Sequence, residues 1–267
     1  MSEETVTVPN GKRESMKRGI YILPNLVTAA SLFAGFYSIV STLNSNYSTA
    51  AIWIFISAVC DGLDGKVARM TGTTSKFGVE FDSLADLVAF GVTPALLMYA
   101  WALKPLGRLG WVAAFLFLVC GALRLARFNV QVDTVESKRF VGLPIPAAAS
   151  MVASTVLLFY HFGWPSFSRK HAIMGLIYLL AFLMVSNFRY YSFKDPAFIK
   201  RQPFGFLLLA VVLLIVVAAE PVVMTFTVLL LYVLSGPVDF IVTWPRRRRL
   251  EKAVHKGREA LNREGDA

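Results

Sequence analysis

Asp61, Asp64, Asp82 and Asp86 are the residues of this chain whose types and spacing could do chemistry. Residues three or four apart share one face of a helix. Asp61 and Asp64 therefore form one carboxylate pair and Asp82 and Asp86 another. Carboxylate oxygens without a neighbouring histidine suit hard cations, Mg²⁺ or Mn²⁺, and two facing pairs suit two such ions. Ions of that kind bind phosphates. Gly65 and Ala68 lie on the Asp61/Asp64 face and leave room for a substrate, while Arg69, one turn beyond Gly65, offers a planar fork to a phosphate. Gly78, four residues before Asp82, clears the opposite face in the same way. Two other uses stand beside this one. An isolated intramembrane Asp is often a helix-to-helix hydrogen-bond partner, and intramembrane carboxylates also line cation or proton pathways.

The elements that must hold these carboxylates are membrane helices. The 267 residues are 56% hydrophobic and only 16% charged, where a soluble domain carries nearer a quarter charged. The apolar residues fall in runs of roughly 16 to 23, close to the ~20 that a helix needs to cross the hydrocarbon core. A barrel would show alternation over ~10 residues instead. Spans are predicted near 22–43, 48–70, 80–102, 108–128, 143–162, 171–188, 204–219 and 222–242, giving an all-α polytopic membrane protein with Glu220-Pro221 as the turn between the last two. The second and third spans carry the Asp residues and are the least apolar for their length. An ionised Asp costs ~2.5 to 3.5 kcal/mol inside a membrane, so four together require cations to offset them. Cys60 and Cys120 lie inside apolar runs and read as small packing residues. The first nineteen residues do not resemble a secretory signal.

Charge sets the expected orientation. Of the 27 Lys and Arg residues, the eight-span arrangement leaves only Lys104, Arg108, Arg169 and Lys170 on one side and the other twenty-three on the opposite side. Basic residues stay on the cytoplasmic side, so both termini and the carboxylates are expected there, in the cytoplasmic (inner) membrane. The net charge of +10 then reflects topology and attraction to anionic lipid headgroups, not a nucleic-acid partner: the Arg246–Arg249 run adjoins a span and lacks an aromatic platform.

The pattern Asp-x2-Asp-Gly-x2-Ala-Arg-x8-Gly-x3-Asp-x3-Asp, met at Asp61, Asp64, Gly65, Ala68, Arg69, Gly78, Asp82 and Asp86 without departure, resembles the signature of the CDP-alcohol phosphotransferases. That resemblance implies transfer of a substituted phosphate from a CDP-linked donor to an alcohol with release of CMP, in a six-helix membrane core that forms a homodimer. It implies Asp61, Asp64 and Asp82 as metal ligands, with Asp86 both a ligand and the general base. Gly65, Ala68, Arg69 and Gly78 would surround the CDP group. Residues 21–190 would form this catalytic core, after a basic segment at 1–20 and before two additional spans at 191–244 and a basic tail at 245–267.

Further stretches are similar to the phosphatidylserine synthase branch of that family: Phe77 to Ala95, Arg124-Leu125-Ala126-Arg127-Phe128-Asn129 and Gly142-Leu143-Pro144-Ile145-Pro146-Ala147. The donor implied is CDP-diacylglycerol and the acceptor L-serine. Glycerol phosphate or inositol phosphate remain as sibling acceptors, and each would need a further basic pocket. Arg124, Arg127 and Asn129 are candidates for the serine carboxylate, with interfacial anchoring of the arginines as the other reading. Asn25 and Thr28 share a face of the first span and either touch the nucleotide or cap the helix. The basic stretch from Gly11 to Ile20 is either a helix on the membrane surface or a solvated charge run.

Overall fold

Lipid offers a backbone no hydrogen-bond partners, so each segment must satisfy its own. The computed structural model describes residues 11–71, 75–132, 140–190 and 219–242, and nearly all are helical. The helices are α1 (Gly11–Leu43), α2 (Tyr47–Thr71), α3 (Lys76–Leu106), α4 (Arg108–Val132), α5 (Ile145–His161), α6 (Lys170–Val185) and α7 (Pro221–Val242). The predicted span at 204–219 and the tail from 245 lie outside the described residues. Two extended residue pairs, β1 (Phe140–Val141) and β2 (Arg189–Tyr190), form an antiparallel clip with Phe140 opposite Tyr190. The all-helical membrane fold stands with that small exception.

Among the described residues, α3, α7 and the stretches Leu23–Leu43 of α1 and Arg108–Val130 of α4 are long and apolar enough to cross a membrane. Helix α2, which carries Asp61, Asp64, Lys66 and Arg69, is not among them. Helices α5 and α6, of 17 and 16 residues, are about 24 to 26 Å long, short of a ~30 Å core. The bundle shelters most of α5 and one face of α6. Ala148, Ala149, Met151, Val152 and Ala153 of α5 are fully buried, and with Phe90, Leu97, Met98, Phe117, Ile177 and Leu180 they make the centre of the core.

Helix α1 is longer than its apolar run predicts. It is continuous from Gly11, so Pro24 lies inside the helix and does not open it. Small and hydroxyl residues let α1 approach its neighbours. Ser31 and Ser57 lie Oγ to Oγ at 2.8 Å, Ser38 Oγ donates to Ala50 O at 2.7 Å, and a Cβ on Gly35 would stand 2.8 Å from Ala89 Cα.

Helix α3 starts four residues before the predicted span and is not uniformly α. Ser75 caps it, accepting from Gly78 N at 3.0 Å. Beyond Asp86 the helix widens to a π turn over Leu87–Val92, where Thr93 N–H reaches back five residues to Val88 O. Pro94 explains the change, since it has no N–H to continue the α ladder. Thr93 Oγ1 lies 2.9 Å from Val88 O and 3.2 Å from Gly35 O, which ties the widened turn to α1.

The two ends of the bundle differ. At one end, Tyr47 and Ser166 donate to the carbonyls of Ala100 and Trp101, and His161 lies 3.6 Å from Glu220. The acidic motif and the β clip occupy the other end. There Gly142, at φ 83°, makes the turn into α5 with its N–H donating to Phe188 O at 2.8 Å; a Cβ would stand 2.4 Å from Met184 O. Only glycine takes that conformation against a neighbouring backbone at little cost.

Candidate active site

Helical spacing places Asp61 and Asp64 on one face of α2, and the Ser75 cap starts α3 early enough to bring Asp82 back to the same depth. One carboxylate oxygen from each of Asp61, Asp64 and Asp82 lies within 4.8 Å of the others. Asp86, one turn beyond Asp82, lies close enough to Asp61 for the two carboxyl groups to share a proton. The four residues singled out by spacing thus meet between two helices. Asp64 is buried and the other three are half-buried. Like charges at this range repel, and only a cation or a shared proton relieves them. A donor set made entirely of oxygen fits a hard divalent ion, and the cluster can hold one.

Helix α1 closes the side of the cluster. Thr28 Oγ1 donates to Asp64 Oδ2 at 2.9 Å, with Pro24 O a second acceptor at 3.1 Å. Asn25 Oδ1 faces Gly78, where an added Cβ would stand 3.3 Å from it. Both residues lie within a continuous helix, so the capping alternative is lost: Thr28 touches a cluster carboxylate and Asn25 borders the cluster's glycine. Gly65 is open to its surroundings. The side chains of Ala68 and Arg69 fall outside the described residues.

The three candidates on α4 go to different partners. Arg124 is only 8% exposed, lies in electrostatic reach of Asp86 and Tyr232, and its Nε has no partner among the described residues. Its guanidinium lies 5.9 Å from the centre of the Phe128 ring. Arg127 Nη2 donates to Asn187 Oδ1 at 2.8 Å, and Asn129 Nδ2 donates to Ser83 Oγ at 2.9 Å. Arg124 and Asn129 therefore face the carboxylate helix, whereas Arg127 ties α4 to the end of α6. Asn187, Ser83 and Tyr232 were not candidates on sequence. Ser83 adjoins Asp82 in the motif and could have been found there; Asn187 and Tyr232 carry no local signal.

Comparison with known proteins finds a family and close relatives for the chain. The profile described as CDP-alcohol phosphatidyltransferase matches residues 21–185. A Helicobacter pylori protein named CDP-diacylglycerol–serine O-phosphatidyltransferase is 47% identical over 175 residues, 66% of this chain and 74% of that protein. Proteins of the same name from Methanocaldococcus jannaschii and Bacillus subtilis are 37% and 34% identical, over 68% and 66% of this chain and 80% and 93% of their own lengths.

Proposed function

Because the chain belongs to the CDP-alcohol phosphatidyltransferase family, we propose that it transfers the phosphatidyl group of CDP-diacylglycerol to the hydroxyl of L-serine, giving phosphatidylserine and CMP. The observation that carries this reading is the meeting of Asp61, Asp64 and Asp82 within 4.8 Å, with Asp86 beside Asp61. Asp61, Asp64, Asp82 and Asp86 would hold two divalent cations, Mg²⁺ or Mn²⁺. When bound, such ions supply positive charge that stabilises negative charge on phosphoryl oxygens.

The chain's own residues do the rest. A serine hydroxyl is a weak nucleophile at neutral pH and needs a base in reach. Asp86 takes its proton as the serine oxygen forms a bond to phosphorus and the bond from phosphorus to the CMP oxygen breaks. Asn25, Thr28, Gly65, Ala68, Arg69 and Gly78 border the nucleotide, and glycine at two of these positions leaves room for it. Arg124 and Asn129 orient the serine carboxylate, and Arg127, through Asn187, holds their helix in place. Exposed Leu63, Phe77, Val79 and Leu84 beside the carboxylates offer an apolar border along which the donor's acyl chains stay in lipid. The chain acts as a homodimer in the cytoplasmic membrane, with the site and both termini on the cytoplasmic side.

CMP release from CDP-diacylglycerol with a panel of acceptors tests the function. Release that depends on L-serine is expected. Release that depends instead on glycerol phosphate or inositol phosphate would move the enzyme to a sibling activity, and metal binding without any release would favour a transport role.

Orientation has its own test. In a chain whose Cys60 and Cys120 are replaced, a cysteine at Asn46, exposed in the turn after α1, should react with an impermeant thiol reagent added to intact cells. One at Ser192 should react only after lysis. The reverse pattern would turn the protein over in the membrane and remove its access to cytoplasmic serine.

A further inference from the structure

Helix α7 lies beyond residues 21–185 matched by the family, and most of its surface faces outward. One strip of it is nevertheless held firmly. Tyr190, fully buried, donates its hydroxyl to Val233 O at 3.1 Å. Burial pushes that hydroxyl above the ordinary tyrosine range, which keeps the donor protonated. The Tyr190 ring fills a notch at Gly236, where a Cβ would come within 2.4 Å of a ring carbon. Phe188 packs against Phe240 with ring centres 5.0 Å apart. The backbone of Tyr190 is held in the β clip, where it pairs with Phe140.

These contacts set the rotation of α7 and bring Tyr232 to the inner strip, its ring centre 5.6 Å from that of Tyr190. Tyr232 and Arg124 lie within electrostatic reach of each other, and Arg124 within reach of Asp86. An arginine with an unpartnered buried Nε needs neighbours to hold one orientation, and a phenol oxygen is an acceptor suited to a guanidinium.

We propose that α7 is a wall of the active site, docked through Tyr190 and Gly236, and that Tyr232 is a positioning residue that holds the Arg124 guanidinium towards the acceptor. This rests on the acyl-lipid transfer reading given above and extends it to a helix that the family match does not cover.

A kinetic cycle in the purified full-length protein tests it, with Tyr232→Phe, Arg124→Lys and the double variant. Tyr232→Phe should raise the KM for serine about five- to fiftyfold, less than the loss of a direct hydrogen bond to a charged group because Tyr232 acts through Arg124. The KM for CDP-diacylglycerol and the Tm should not change. In the Arg124→Lys background the same substitution should add less than about twofold, because the two residues act as one unit. Gly236→Leu, which closes the notch, should show the same serine-selective loss if it folds. Ordinary serine kinetics in Tyr232→Phe, a full multiplicative effect in the double variant, or an equal loss of donor affinity would overturn the proposal. Wild-type CMP release that ignores serine would instead overturn the functional reading, and the cycle run with the acceptor actually used would then decide the role of Tyr232.

Discussion

Asp61→Asn and Asp82→Asn should each lose CMP release by roughly three orders of magnitude, about 4 kcal/mol of transition-state stabilisation. The substitution keeps the side chain's size and removes one charge from three carboxylates whose oxygens lie within 4.8 Å of one another. That has a second, opposite consequence. Metal-free protein carries the mutual repulsion of the cluster, so removing a like charge should leave its Tm unchanged or higher. Loss of activity with retained stability is the signature expected of a ligand, whereas a residue that merely pins two helices together would lose both. Chelation of the wild type should reproduce the loss, and added Mg²⁺ or Mn²⁺ should reverse it. Full turnover after exhaustive chelation would end the two-ion reading.

Arg124→Lys should lower kcat/KM for serine by about tenfold to more than a hundredfold, equivalent to ~1.5 to 3 kcal/mol, with little change in the apparent affinity for CDP-diacylglycerol. Lysine keeps the charge and loses the planar fork, so a bidentate carboxylate contact does not survive the change. The environment of Arg124 sharpens this. It is buried beside Asp86 with its Nε unpartnered among the described residues, whereas Arg127 already donates to Asn187 at 2.8 Å. Arg127→Lys should therefore cost less. Serine kinetics unchanged in both Lys variants, or a collapse of donor affinity in either, would make these arginines membrane anchors or phosphate ligands and move the serine pocket elsewhere.

The carboxylate cluster was legible in the sequence because helical periodicity is a local property: spacings of three and four residues on two neighbouring helices already imply two facing pairs. The apolar runs located most helices for the same reason. What escaped depends on contacts between distant residues. Pro24 resembles a helix start, yet α1 continues through it. The widened turn of α3 follows from Pro94 and a hydroxyl at Thr93 that also meets Gly35, a pairing of residues far apart in the chain. The β clip is two residues on each side, too short to leave a pattern. Asn187 as the partner of Arg127, and Tyr190 as the anchor of α7, become visible only when segments distant in the sequence are brought together.

The π turn that follows Asp86 constrains how the gene can change. In an ordinary α-helix a residue adds about 100° of rotation, and the widened turn over Leu87–Val92 accommodates one residue more than an α turn would. Deleting one residue there would restore a regular ladder and keep Asp82 and Asp86 close to their present phase relative to the packed segment Thr93–Met98. A deletion within Thr93–Met98, which is already α-helical, has no such reserve and would swing Asp82 and Asp86 off the face that meets α2. Heredity can therefore remove a letter at the widened turn at less risk to the carboxylates than in the turn that follows it.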